Sequence, residues 1–243
     1  AMTLIPGSGE AVYDTKVQSK LVGEQVGGQW VQRGNKVTLN MHNVQNKANV
    51  MLALDHMEQT FPNLEWVSVV VNWFGTSLDA GDCILEPCVE FGAGTRVSPD
   101  EWQVGTKTRA TARVITYDGD AARYGGTPSD DGVVRLVQNL RARGLKVLFY
   151  PMVLMDVEDK PWRGHLTGTA SEVSSFFTKT NGYNAFVLHY ANLMDGLVDG
   201  FVIGQQGQSL DMTPGPHKVR VSGSGFEPWE RNVLVKPGMQ LEV

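Results

Sequence analysis

Cysteine is scarce in this chain. Its 243 residues hold two, Cys83 and Cys88, too few for a disulfide-stapled secreted scaffold. A zinc site is not indicated either: structural zinc takes four ligands and catalytic zinc three, and none of the five histidines lies within twenty residues of the pair. Two free thiols are the expectation, although the spacing would admit a local disulfide. Long apolar runs are also missing. Val67–Val71 and Met152–Met155 fall far short of the ~20 residues that span a bilayer, and no charged, apolar and small-residue leader opens the sequence. The expectation is a soluble protein with no membrane span and no export signal. A basic block is absent too. Lys plus Arg is 21 against 26 Asp plus Glu, a formal charge of −5, so nucleic acid is not an expected partner. No Gly-x-Gly-x-x-Gly or Gly-x-x-x-x-Gly-Lys-Ser/Thr run follows a strand, and no Gly-x-Ser-x-Gly elbow occurs. No nucleotide, metal or other cofactor is therefore expected.

What is present is ordinary globular composition, 42% hydrophobic and 19% charged, enough for a substantial core. Residues 1–46 carry Gly7, Gly9, Gly23, Gly27, Gly28 and Gly34 with no sustained period, and read as an N-terminal arm lying on something else. From Asn49 the pattern changes. Val50, Leu54, Met57 and Phe61 fall on one face of an amphipathic helix, stopped by Pro62. Val67–Val71, β-branched at nearly every position, is expected as a strand buried on both faces. Residues 76–110 read as a long excursion, and Arg109–Tyr117 as a further strand. Thr127-Pro-Ser-Asp-Asp131 supplies capping oxygens and first-turn acids for a helix. Val133, Val134, Val137 and Leu140 form its apolar face, and Gly144 closes it. Lys146–Tyr150 is a strand that Pro151 should take out of the sheet. Ser171–Phe177 and Tyr183–Met194 read as helices and Val198–Ile203 as a last strand.

Helices alternating with apolar strands predict an α/β architecture with parallel pairing. About four strands are visible between residues 67 and 204, while a closed (β/α)₈ barrel needs eight, so a barrel here is a partial one. From Thr213 the composition turns to Pro, Gly and alternating Lys218-Val-Arg-Val221 and Asn232-Val-Leu-Val235, a small β-hairpin module. The domains are thus an arm over 1–46, a partial barrel over 47–206 and a β-rich tail over 207–243.

Several motifs are long enough to compare with known proteins. Thr3-Leu-Ile-Pro-Gly-Ser-Gly-Glu10, Val67-Ser-Val-Val-Val-Asn-Trp-Phe-Gly75, Tyr124-Gly-Gly-Thr-Pro-Ser-Asp130, Arg143–Asp156, Pro161-Trp-Arg-Gly164 and Val187-Leu-His-Tyr190 occur in the order found in one family. Over about residues 3–206 the chain resembles the TIM-barrel-like domain of the tail baseplate protein of gene transfer agents and tailed phages. The resemblance implies a glycoside-hydrolase-like barrel carried in a phage-like tail, made in the bacterial cytoplasm, with other tail or baseplate proteins as partners and cell-surface polysaccharide as a possible one. The family's strand corresponding to Val198–Ile203 leads into Gly-Ser-Glu, where this chain has Gly204-Gln-Gln206. That change removes a carboxylate expected of a glycosidase. The tail, through Pro214-Gly-Pro-His-Lys-Val-Arg-Val221 and Gly225-Phe-Glu-Pro-Trp229, resembles the end of a PEGA domain.

Glycoside hydrolysis ordinarily uses two carboxylates at the C-terminal ends of barrel strands. Asp156 is the candidate attached to a family motif; Asp79, Glu86 and Asp118 qualify by position. A structural reading, with Asp156 bonding loop amides, stands beside the catalytic one. Trp73, Phe74, Tyr150 and Trp162 are candidate sugar platforms, with core packing as the alternative. Arg163 would hold a substrate carboxylate or staple a loop through Asp156 or Asp159. His189 reads as a hydrogen-bonded core residue. The expected function is a structural role in a tail baseplate, with a glycoside hydrolase acting on cell-wall or capsular polysaccharide as the alternative and a carbohydrate-binding module as the second. The open sheet edges of a partial barrel would also favour a homo-oligomer.

Overall fold

A computed structural model of the chain describes residues 1–5, 7–202, 215–221 and 229–235, the last two segments by their backbone. The chain divides into two compact units, Ala1–Ile203 and Gly204–Val243.

The first unit is built on a five-stranded sheet. Four strands run parallel in chain order: β1 (Met2–Leu4), β2 (Trp66–Gly75), β3 (Lys146–Met155) and β4 (Gly200–Phe201). The short Leu85–Glu86 pairs antiparallel with the end of β2. Parallel neighbours require crossovers. These are α1 (Asn49–Thr60) between β1 and β2, α2 (Asp130–Ala142) between β2 and β3, and α3 (Ala170–Thr178) with α4 (Tyr183–Leu193) between β3 and β4. Parallel strands in chain order are how a barrel wall is laid down, and these four strands follow that order.

The segment read as an arm begins in this sheet, with Met2, Thr3 and Leu4 opposite Val67, Ser68 and Val69. Beyond β1 the Tyr13 hydroxyl donates to the Val70 carbonyl at 2.7 Å and lies 3.0 Å from that of Leu4, tying the following loop to β2. Residues 19–38 form strands of two to four residues, too short to show a sequence period. One hairpin among them turns on Gly27 and Gly28, both at positive φ, as a two-residue turn requires.

In β2, Val67, Val69 and Val71 are wholly buried while Ser68, Val70 and Asn72 are half-buried. The expectation of burial on both faces therefore holds for one face only. The buried side packs with Val147 and Phe149 of β3 against Leu54 of α1 and Val133, Leu136, Val137 and Leu140 of α2, each such side chain contributing about 1.5–3 kcal/mol relative to exposure. The other side opens toward a cleft.

The chain does not leave the sheet at Tyr150. β3 stays paired with β2 from Lys146↔Trp66 to Met155↔Gly75, with Pro151 opposite Val71. The reason is the direction of the amides. Even-numbered residues bond β2, as Lys146 N to Glu65 O (2.8 Å) and Asp156 N to Gly75 O (2.9 Å) do. Odd-numbered residues face β4, as the bond from Val202 N to Phe149 O (2.8 Å) shows. Proline at 151 thus lacks an N–H on the β4 side, beyond the last β3–β4 pair Phe149↔Phe201, and removes no β2–β3 bond.

In α1, Val50, Leu54 and Met57 are buried as their spacing predicts, but Phe61 lies past the last turn and is exposed. In α2 the Ser129 hydroxyl caps Gly132 N at 3.2 Å, Asp130 and Asp131 occupy the first turn, and Gly144 follows at φ +79°. Arg109–Tyr117 is not one strand of the main sheet: Arg113–Val114 pairs in parallel with Cys88–Val89, and Tyr117 pairs with Ala122 in a separate small hairpin. The excursion is nonetheless well anchored. Buried Thr127 donates its hydroxyl to Asn72 O (3.0 Å) and accepts from Cys88 N (3.1 Å), and Trp102 Nε1 donates to Thr127 O (2.7 Å). In the second unit Gly215–Val221 pairs antiparallel with Trp229–Val235. Among the described residues no helix is long and apolar enough to cross a membrane.

Candidate functional site

In parallel α/β folds the ends of the strands carry function, because loops there converge from several crossovers. Asp156 follows β3 directly. Its Oδ2 accepts from Arg113 Nη1, from Thr116 N (3.1 Å) and from Thr116 Oγ1 (2.9 Å). The same guanidinium donates through Nε to Glu86 Oε1 at 2.7 Å. Two strand-end carboxylates therefore share one arginine. The Asp156 side chain has no exposed surface, whereas Glu86 and Arg113 keep a partial opening. Burial works against the Arg113 charge, but its bonds to Asp156 and Glu86 outweigh that and raise its pKa. On the other carboxylate oxygen, Arg123 Nη1 lies 3.9 Å from Asp156 Oδ1.

A second cluster joins the loops after β1 and β2. Glu10 N donates to Glu90 Oε2 (3.1 Å) and Glu90 N donates to Glu10 Oε2 (2.9 Å), so each carboxylate holds the other's backbone. Arg109 forks onto Glu10 at 3.1 and 2.5 Å and donates to Phe91 O at 2.9 Å. Glu10 and Arg109 are both buried. Burial, followed by the Glu10 charge, pushes the Glu90 carboxyl above the usual glutamate range against its bond from Glu10 N and the charges of Arg109 and Lys20.

A cleft of about 170 Å³ is walled by Val70, Asn72, Met152 and Leu154 of the sheet and rimmed by backbone at Gly7–Gly9 and Gly125–Gly126. It is smaller than the ~300 Å³ of a typical drug-sized site. The rim is closely packed: a Cβ on Gly125 would overlap the Gly9 amide nitrogen.

The sequence candidates are scattered. Tyr150 lies on the face of β3 that carries Met152 and Leu154, and its hydroxyl is 3.4 Å from Arg163 Nη2. Arg163 thus reaches Tyr150 rather than stapling Asp156, whose cation is Arg113. Trp73 lies on the helix side, with its ring centroid 5.3 Å from Phe186 and 5.4 Å from His189 and its Nε1 donating to Tyr190 Oη at 3.1 Å. Odd numbering along β2 turns it away from the cleft. Phe74 is buried with Cys88 and Ile115. Trp162 is 63% exposed, edge-on to His165, and is the aromatic most open to a ligand among these. Asp79 caps its own turn through Gly81 N (2.8 Å), and Asp118 pairs with Arg123 on the surface. His189 bonds Asp130 at 3.0 Å. Both cysteines are free and buried, and burial pushes the Cys88 thiol up to about 12. Among the described residues no cluster of ligating side chains could hold a metal. Gln205 and Gln206 lie outside the described residues.

Sequence reasoning found Asp156 and Glu86 but not the arginine that joins them, and it missed Glu10, Glu90 and Arg109. No local signal could have found that cluster, since Glu10 is 80 residues from Glu90 and 99 from Arg109. No curated protein matches the chain. Residues 102–206 match the model of Glycoside Hydrolase Family 113, a stretch that supplies Arg109, Arg113, Thr116, the Gly125–Gly126 rim, α2, β3 and Asp156. Together with the chain-order parallel sheet, this match gives the Ala1–Ile203 unit a glycoside-hydrolase-like α/β fold.

Proposed function

We propose that the Ala1–Ile203 unit engages cell-wall or capsular polysaccharide across the C-terminal ends of β1–β3, as a glycoside-hydrolase-type domain. The observation that carries this reading is the family match over residues 102–206, because that stretch builds one rim and one wall of the cleft. Trp162 and Tyr150 offer aromatic surface for a sugar ring, and Asn72 offers an amide within the cleft wall. Asp156 is assigned a positioning role. Its carboxylate is enclosed and accepts from Arg113, which in turn donates to the more open Glu86.

The test is retention of the full chain by purified polysaccharides in affinity electrophoresis, with reducing-end release measured on the same samples. Binding that Trp162→Ala weakens about 2- to 10-fold supports the reading, on the ~0.5–1.5 kcal/mol of a lost aromatic contact. Release abolished by Glu86→Gln would place Glu86 in a hydrolytic reaction. Neither binding nor release from any of the polysaccharides would refute it. A second reading, assembly into a phage-like tail tip, draws on the family motifs around Tyr124–Asp130 and Arg143–Asp156. It predicts association with tail or baseplate proteins instead, measured by co-purification from particles.

A further inference from the structure

Arg163 stands apart from the other arginines. Among the described residues every other arginine side chain holds a carboxylate or, for Arg96, lies over the Trp30 ring. No described carboxylate comes within 4.0 Å of the Arg163 guanidinium, Glu158 and Asp159 of its own loop included. Its side-chain hydrogen bond among the described residues runs from Nη2 to the Tyr150 hydroxyl at 3.4 Å. That hydroxyl serves there as an acceptor, so its own proton stays free to be donated. A guanidinium fork and a phenol thus stand side by side as donors, and both residues are half-buried, with part of their surface open. The chemistry that matches such a pair is a carboxylate, which takes two parallel N–H bonds from an arginine and keeps lone pairs for a hydroxyl. The neighbouring residue supplies an apolar surface. A Cβ on Gly164 would fall 2.2–2.5 Å from three atoms of the Trp162 six-membered ring. Glycine at 164 therefore lets the indole lie on the loop backbone, and the indole is still 63% exposed. Tyr150 in turn lies on the face of β3 that carries Met152 and Leu154 of the cleft wall.

We infer that Trp162, Arg163 and Tyr150 form a subsite for an acidic sugar: a hexuronate ring lies against the Trp162 indole while its carboxylate is held by Arg163 and the Tyr150 hydroxyl. One uronate residue can meet both demands, because it carries its carboxylate on the same ring that stacks. The subsite rests on the reading of this unit as a polysaccharide-binding domain and deepens it by naming the class of polysaccharide. Net charge does not supply the attraction. At −5 the chain as a whole repels a polyanion, so recognition falls to this local group of donors.

Affinity electrophoresis of the full chain tests this with polygalacturonate, alginate and hyaluronan, each beside its carboxyl-reduced counterpart, and with neutral glucomannan and dextran sulfate for comparison. At least one uronate polymer should be retained, its carboxyl-reduced form about 10-fold less tightly, and dextran sulfate no better than the reduced form. Arg163→Gln should weaken retention by the uronate polymer about 10- to 100-fold, as expected for losing hydrogen bonds between two charged groups, and leave retention by the reduced polymer within about 2-fold. Arg163→Lys, which keeps the charge but not the fork, should recover only part of the loss. Tyr150→Phe should remove part of the same discrimination, whereas Trp162→Ala should weaken the acidic and the reduced polymer alike. The comparison of each polymer with its reduced form needs no variant, so the subsite is tested even if one of them fails to fold. Equal retention of the uronate polymers and their reduced forms, discrimination that survives Arg163→Gln, dextran sulfate held as tightly as the uronate polymer, or no uronate polymer retained would each overturn the subsite. Retention by glucomannan in any of those cases would leave the polysaccharide reading standing, and retention by none of the polymers would refute both.

Discussion

Replacing Asp156 by alanine is the sharpest test of the shared-arginine network. Three donors end on one enclosed oxygen: Arg113 Nη1, Thr116 N and Thr116 Oγ1. Hydrogen bonds to a charged group are worth about 1.5–3 kcal/mol each, but these share an acceptor and are not additive. Breaking a fully buried ion pair costs about 3–5 kcal/mol. Arg113 is partly open to water and keeps Glu86, which lowers the expected loss to about 2–4 kcal/mol. At ~2–4 °C per kcal/mol for a chain of this size, Tm should fall by roughly 4–16 °C. Asp156→Asn, which keeps an acceptor for Thr116 but not the charge, should fall in between. Urea and thermal melts followed by circular dichroism measure all of these, with Glu24→Ala as the control, since that carboxylate pairs with Arg33 on the surface. If Asp156→Ala melts within about 0.5 kcal/mol of the parent, the network does not hold the strand ends together. If it instead abolishes reducing-end release without lowering Tm, Asp156 belongs to the chemistry and the positioning role is refuted.

Other consequences follow from backbone geometry and burial. Pro151→Ala should change stability by no more than about 1 kcal/mol, because its amide faces away from β2, whereas Tyr150→Pro deletes a β2–β3 bond and should cost about 1–3 kcal/mol more; urea melts of the two variants compare them. Gly125→Ala drives a methyl into the Gly9 amide and should destabilise by about 1–3 kcal/mol, with the loss of protection largest at residues 7–10 and 124–126 in hydrogen exchange. Native protein should resist alkylation at about pH 8, since Cys83 and Cys88 are buried and the Cys88 thiol is pushed up to about 12. Both thiols should react once the chain is unfolded in urea, and a fast native reaction at Cys88 would contradict the packing around Phe74 and Ile115.

Local forces mark out what can be read along the chain without its fold. The spacing of Val50, Leu54 and Met57, the Ser129 cap with Asp130 and Asp131, and the β-branched run at Val67–Val71 act through contacts a few residues apart, and each marks its element. The α/β alternation is legible for the same reason. Met2–Leu4 is not legible as a strand, because three residues carry no period and their partner lies some 65 positions away at Val67–Val69. Pro151 shows the limit from the other side: the cost of a missing N–H depends on which neighbour that amide faces, and register decides this. The site is decided almost wholly by tertiary structure. Asp156 and Glu86 can be named as strand-end carboxylates, but only packing brings Arg113 between them and encloses the Asp156 side chain. Glu10, Glu90 and Arg109 carry no local signal, since a carboxylate's environment is set by which loops the parallel register stacks beside it. Composition sets how many charges a chain has; the fold sets which of them must share a counter-ion.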